Sequence, residues 1–293
     1  MQIIIPGVSA PQSGAGRNFR YLPGTEVPAL DPLFFYDFSD GIVGQAYSGA
    51  FTNLAGGVNG SIIGTRAAPL RTTAGMQVES VNGLLINTGI STQRSSYVLA
   101  ALLRMLPKAS GSPATYNLGL LTATDSNTIQ ADPTANTSMT GFPGIGFSLN
   151  DNNQSLMGFS NGLAPAGSSS TNSQIPTGLA VQNTWFPVAL NIDGPTGRAK
   201  IHTLQGVEDR SDGITGDTWI RDFFVTNLAA RSGNLVVGIN PNGNPRAVAG
   251  PLGTLVCAGA FDGNRSDDEV TAILTGMAKI AANRNLAVAG YAA

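Results

Sequence analysis

One cysteine, Cys257, and one histidine, His202, are all the soft metal-binding chemistry in 293 residues. A single thiol excludes an intrachain disulfide framework. One residue of each kind excludes a His/Cys zinc cluster. The setting Leu255-Val256-Cys257-Ala258 predicts a buried, apolar position for the thiol. Charge is scarce as well, at 12% of residues, against roughly 25% in ordinary soluble domains. A net charge of -2 offers no basic face for nucleic acid, so nucleic acid is not an expected partner. No apolar run approaches the ~20 residues of a membrane helix, and no membrane insertion is expected. Met1-Gln2-Ile3-Ile4-Ile5-Pro6 lacks the basic and apolar regions of a signal peptide. The expected route is synthesis in the host cytoplasm as a soluble chain.

Glutamate is rarer still. Glu26, Glu79, Glu208 and Glu269 stand far apart, whereas glycoside hydrolysis needs two carboxylates held about 5–10 Å from each other. Gly158-Phe159-Ser160-Asn161-Gly162 matches the nucleophile-elbow pattern. That motif needs a strand–turn–helix setting, here a polar loop follows, and His202 would have to serve as base. Loop or strand end is the better reading of Ser160. Phosphate-binding glycine loops are missing. No enzyme is expected, and no catalytic, cofactor-binding or metal-ligating residue is assigned. Asp209-Arg210-Ser211-Asp212-Gly213 and Asp125-Ser126-Asn127 offer oxygen ligands for calcium, but solvated turns explain both more cheaply.

What the chain does contain is glycine (37), small polar residues and short apolar runs, with 42% hydrophobic residues. Many short strands joined by Gly/Asn/Pro turns produce such a composition. Residues 1–30 carry Pro6, Pro11, Pro23 and Pro28 and read as an extended arm, because proline removes ladder donors. Ile3, Ile4, Ile5, Phe19 and Tyr21 would anchor it on a neighbouring subunit or another protein of the same assembly. Residues 31–293 form the second unit, a β-sandwich domain.

Leu33–Phe38 reads as a first strand closed by Asp40-Gly41. Met76–Asn87 reads as two strands around Asn82-Gly83, a hairpin signal. Tyr97–Leu103 fits strand or helix by periodicity alone. Short strands are expected at Tyr116–Thr122, Gly144–Asn150 and Leu156–Ser160, then a polar loop over 161–178. Trp185–Asp193 and Arg198–Leu204 read as a hairpin. Trp185, Val188, Leu190 and Ile192 are placed mostly on one strand face, and Trp185 is read as a core anchor ahead of a sugar-stacking platform. Further strands fall at 219–228, 234–239 and 253–261. Then Ser266-Asp267-Asp268-Glu269 forms a capping box. Val270, Ile273, Leu274 and Met277 recur at helical spacing, and Ile280 and Ala281 extend that face. The spacing predicts one amphipathic helix over 267–283.

Trp185-Phe186-Pro187-Val188-Ala189-Leu190-Asn191-Ile192-Asp193-Gly194, with the return Gly197–His202 ending near Gly206, resembles the signature hairpin of laminin-G-like and pentraxin-like concanavalin A folds. Phe35–Gly41, Val237-Gly238-Ile239-Asn240, Gly253–Asp262 and Ser266–Val270 are similar to that family's first strand, a strand end, its last core strand and its closing helix. The resemblance covers about 33–283. It implies an all-β, two-sheet antiparallel sandwich (a concanavalin A-like jelly roll) with one C-terminal helix. The chain departs from the family at Leu255-Val256-Cys257-Ala258-Gly259 and at His202, so the resemblance transfers no calcium site.

Two functions compete at this stage. The first is a bacteriophage virion structural protein, tail-associated or decorating, a homo-oligomer that binds other virion proteins and host cell-surface glycan. The alternative is a bacterial carbohydrate-binding or adhesion module.

Overall fold

The computed structural model describes residues 20–63, 69–79, 85–91, 93–106, 118–123, 145–149, 154–159, 171–174, 183–209, 211–213, 220–221, 234–238 and 251–292. Its strands are β1 (Pro32–Asp37), β2 (Ser61–Ile63), β3 (Met76–Glu79), β4 (Leu85–Ser91), β5 (Ser96–Met105), β6 (Leu118–Ala123) and β7 (Ile145–Leu149). They continue as β8 (Gln154–Phe159), β9 (Thr171–Gln174), β10 (Phe186–Asp193), β11 (Arg198–Thr203), β12 (Gly206–Asp209), β13 (Asn234–Gly238) and β14 (Pro251–Asp262). Helix α1 spans Asp267–Ala282.

The strands form two antiparallel sheets. The first runs β1-β14-β5-β10-β11-β12, with β3 also pairing with β14; the second runs β2-β4-β13-β6-β7-β8-β9. Strand alternation explains why β5 reads as unbroken apolar sequence. Tyr97, Leu99, Ala101 and Leu103 face the core shared with Ile86, Leu235 and Val237 of the second sheet. Val98, Ala100 and Leu102 face the opposite way, into a separate core under α1. The ambiguity of this run thus resolves to a central strand buried on both sides.

Helix α1 lies on the outer face of the first sheet, against β5, β10, β11 and β14. Val270, Ile273, Leu274, Met277 and Ala281 are all buried, as the spacing predicts. Burying each large side chain contributes roughly 1.5–3 kcal/mol. Its start is the expected capping box: Ser266 Oγ accepts from the Glu269 N–H at 3.3 Å, and Glu269 Oε2 accepts from the Ser266 N–H at 2.9 Å. Near its end Arg284 pairs with Asp37 and donates to the Ala74 carbonyl at 2.8 Å.

Several expectations meet a different structure. Met76–Asn87 is no hairpin: β3 pairs with β14 in the first sheet and β4 with β13 and β2 in the second. The chain crosses between sheets there, which a local turn signal cannot reveal. Asn82 and Gly83 lie outside the described residues. Ile220 and Arg221 are helical where a strand over 219–228 was expected, and 222–228 lie outside the described residues. The Asp212 carboxylate accepts from both their backbone N–H groups, at 3.0 and 2.9 Å, as a helix cap does. Residues 171–174, read as loop, form β9, whose polar sequence carries no strand signal.

Residues 20–30, placed in the arm, pack on their own domain. Tyr21 bridges to Pro28, and Leu22 and Val27 are buried in the core under α1. A methyl group on Gly276 of α1 would lie 2.5 Å from the Glu26 carbonyl oxygen, so glycine is what lets helix and segment touch. Lys279 pairs with Glu26 across the same contact. Prolines go with no more than one antiparallel bridge in this segment, and they do not prevent its burial. Residues 1–19, with Ile3, Ile4, Ile5 and Phe19, lie outside the described residues.

Candidate functional site: a polar ledge beyond the helix N-terminus

The β10–β11 hairpin and the start of β5 build the site. Along the helix-side face the register aligns Ala100, Ala189 and His202 in one row, then Val98, Asn191 and Lys200, then Ser96, Asp193 and Arg198. The first row is apolar but for His202 and lies under α1. In the last two rows every residue but the buried Val98 is polar, so the sheet emerges beyond the helix start as a ledge.

Most ledge residues are held from several sides. The Asp193 carboxylate accepts from the Ser96 hydroxyl at 3.0 Å and from the Thr196 hydroxyl at 2.6 Å, which fixes the hairpin tip. Gly197 closes that turn at φ 70°, a conformation that disfavours side chains. Asn191 is buried at 5% exposure. Its amide donates to the Arg265 carbonyl at 2.7 Å and accepts from the Arg265 N–H at 3.3 Å, so it pins the loop that leads into α1. The Arg265 guanidinium then donates to Asp31 at 2.8 Å, to the Leu30 carbonyl at 3.2 Å and to the Asp262 carbonyl. Arg94 pairs with Asp262 at 2.6 Å.

The wall nearest the helix is Asp267, which takes both of its short contacts from Lys200 Nζ, at 2.8 and 3.0 Å. Lys200 holds the Asp267 carboxyl below its ordinary pKa, first through this hydrogen bond. His202, two residues along β11, is 1% exposed, and neither ring nitrogen has a hydrogen-bond partner among the described residues. Its Nε2 stands 3.9 Å from Asp267 Oδ1. Burial lowers its pKa to about 4, partly opposed by the Asp267 charge. The ring is therefore neutral at pH 7.

Two hollows open on the ledge, of about 490 and 630 Å³. They share Asn264 and Arg265 and so adjoin. Arg198, Lys200, Asp267 and Asp268 line the first; Asp31, Arg94, Ser96 and Asp262 line the second. No aromatic side chain is among these lining residues. Arg198 and Asp268 are exposed; Arg198 acts on the Asp267 carboxylate through its charge, and Asp268 adds to the acidic first turn of α1.

The residues singled out in the sequence fall elsewhere. Trp185 is a core anchor, 8% exposed, with the Arg104 guanidinium 4.6 Å above its ring. It does not share a face with its expected partners. Val188, Leu190 and Ile192 enter the inter-sheet core, whereas Trp185 enters the core under α1. Cys257 is fully buried, as predicted, and burial pushes its thiol pKa up. Glu269 caps the helix and Glu26 pairs with Lys279. Asp209 accepts from the N–H of Ser211 at 2.9 Å, a turn contact. Among the described residues no group of three His, Cys, Asp or Glu side chains suits a metal. Ser160 and Asp125 lie outside the described residues. Sequence reasoning missed the ledge. Its one signal was the alternation Arg198-x-Lys200-x-His202 on a strand whose other face is apolar.

No protein-family model matches the chain, and no curated protein matches it. Among solved structures it is similar to Trypanosoma rangeli sialidase in complex with sialic acid, at 13% identity and a TM-score of 0.48, over 87% of this chain and 34% of that one. It is also similar to the Ruminococcus gnavus IT-sialidase CBM40 bound to α2,3-sialyllactose, at 13% identity and a TM-score of 0.39, over 62% of this chain and 84% of that one. A third is the leech intramolecular trans-sialidase, at 11% identity and a TM-score of 0.41, over 67% and 26%. The chain spans about a third of the T. rangeli sialidase. At these identities no residue here inherits a role.

Proposed function

We propose that the chain is a non-enzymatic carbohydrate-binding module, and that an uncharged stretch of sugar lies along the ledge. The observation that carries this reading is the balance of the lining. Arg94, Arg198, Lys200 and Arg265 face Asp31, Asp262, Asp267 and Asp268, with Asn264 between the two hollows. Such a surface alternates donors with acceptors and has no net charge. A sugar hydroxyl, which both donates and accepts, suits it. A polyanion would meet as many carboxylates as cations. Most of the lining is braced by the contacts above, so little ordering would be needed on binding, which favours affinity. The virion reading rests on composition, the lack of a signal-peptide pattern, the proline-rich first segment and analogy of fold, and on no feature of the ledge.

The test is a glycan array followed by calorimetry on the purified protein, with Arg198→Ala and Asp268→Ala as site variants. Both side chains are exposed and their structural roles are charge effects at the surface, so melting temperature should fall only slightly. Binding of a neutral oligosaccharide should weaken at least tenfold in each and change little between 50 and 300 mM salt. A protein that retains no glycan, or variants that bind as wild type does, would overturn the reading. Release of new reducing ends from the bound glycan would overturn its non-enzymatic part.

A further inference from the structure

We infer that His202 makes the first turn of α1 a proton-operated latch: acid releases that turn from β11 and dismantles the Asp267 wall of the ledge. The latch rests on the fold alone; its effect on a ligand rests on the carbohydrate reading above.

The geometry is unusual in one respect. The only histidine of the chain is 1% exposed, and its ring nitrogens have no hydrogen-bond partner among the described residues. A buried polar group without a partner is destabilising, because it has lost water and gained nothing in exchange. An apolar side chain of that size would avoid the cost, so packing alone does not explain an imidazole. The groups facing it come from three elements. Lys200 shares its strand, Asp209 comes from β12, and Asp267 comes from α1; the β10 neighbour in register is the uncharged Ala189. At neutral pH the only Asp267 oxygen near the ring is 3.9 Å away, and Lys200 holds both Asp267 oxygens.

Protonation changes this balance. To offset its lost water an imidazolium would have only Asp267 Oδ1, 3.9 Å away and already held by Lys200, and the positive Lys200 stands beside it. The closed state therefore resists the proton, whereas a state with the first turn lifted leaves the ring in water at its ordinary pKa. Falling pH must then favour the lifted state. Ser266, Asp267 and Asp268 all line the first hollow, so lifting the turn removes one of its walls.

Hydrogen exchange on the ligand-free protein tests this, with rates corrected for intrinsic pH dependence. Opening of the first turn, read at the amides of Val270 to Leu274, should increase about twentyfold from pH 7 to pH 5, one proton per opening. Amides of 280–282 and of β5 should change far less. In His202→Leu the increase should vanish. An equal increase in that variant, no increase in wild type, or the same increase across helix and sheet would each overturn the latch. Should the Leu variant not fold, the wild type still decides. Opening that rises about threefold from pH 7 to 6 and about sevenfold from pH 6 to 5 marks one titrating group of depressed pKa; a flat or steeper profile excludes it. Loss of glycan binding in acid with flat exchange would sink the latch and leave the carbohydrate reading standing.

Discussion

The helix-side face of the first sheet is one surface with two chemistries. Beneath α1 it presents Val98, Ala100, Leu102 and Ala189, none more than 1% exposed. Beyond Ser266 the same strands present Ser96, Asp193, Arg198 and Lys200. The backbone does not change between the two regions, since the β5–β10–β11 register runs through both without a shift. Only the side chains differ, and the boundary falls where the capping box starts the helix. The comparison teaches that the helix start defines the site. Under the helix a polar group would lose water, and beyond it an apolar group would gain none of the burial. His202 breaks the rule, as the polar residue on the covered side of the line.

The comparison can be broken most heavily from the covered side. Leu274→Ala removes a fully buried side chain from the core under α1. It should cost about 2–5 kcal/mol in urea unfolding. Arg198→Ala on the ledge, which buries nothing, should stay within about 0.5 kcal/mol. Equal losses in the two variants would erase the distinction between the regions.

The next largest effect belongs to the residue that violates it. The folded pKa of His202, about 4, lies below its ordinary 6.5. As pH falls the unfolded chain takes up this proton first, so acid favours unfolding. Stability from this site is complete above pH 6.5 and is lost as pH falls through 4, by about 3 kcal/mol in all. The difference in unfolding free energy between wild type and His202→Leu, followed from pH 7 to pH 4, should trace that loss. A constant difference would mean the imidazole is not what acid attacks.

The smallest effect is at the boundary itself. Ser266→Ala removes the cap and should cost about 1 kcal/mol. It should also speed exchange in the first turn of α1 more than in the last. Uniform exchange along the helix would show that the cap does not set where the ledge begins.

Much of this architecture was legible in the sequence, for identifiable reasons. The β10–β11 hairpin, the burial of Cys257 and the helix with its capping box follow from local patterns: an Asp-Gly turn, an apolar context and 3.6-residue spacing. The crossing at 76–87 was not legible, because β3 and β4 pair with partners far away in sequence. Neither was the side of the sheet taken by Trp185, where the step of three residues to Val188 reverses the face. The ledge was invisible for a similar reason. Its residues come from positions near 31, 94, 191–200 and 262–268, and each alone reads as an ordinary surface polar.

The sequence by itself determined that this protein is a sandwich with one late amphipathic helix. Strand alternation, turn chemistry and capping act over a few residues and survive in any context. Only the tertiary structure decided which sheet each strand joins, where on the first sheet the helix comes to rest, and therefore which polar residues stay in water. Those choices depend on burial across the whole chain. They place Lys200 and Asp267, 67 residues apart, in contact at 2.8 Å, and leave His202 beneath them without a partner.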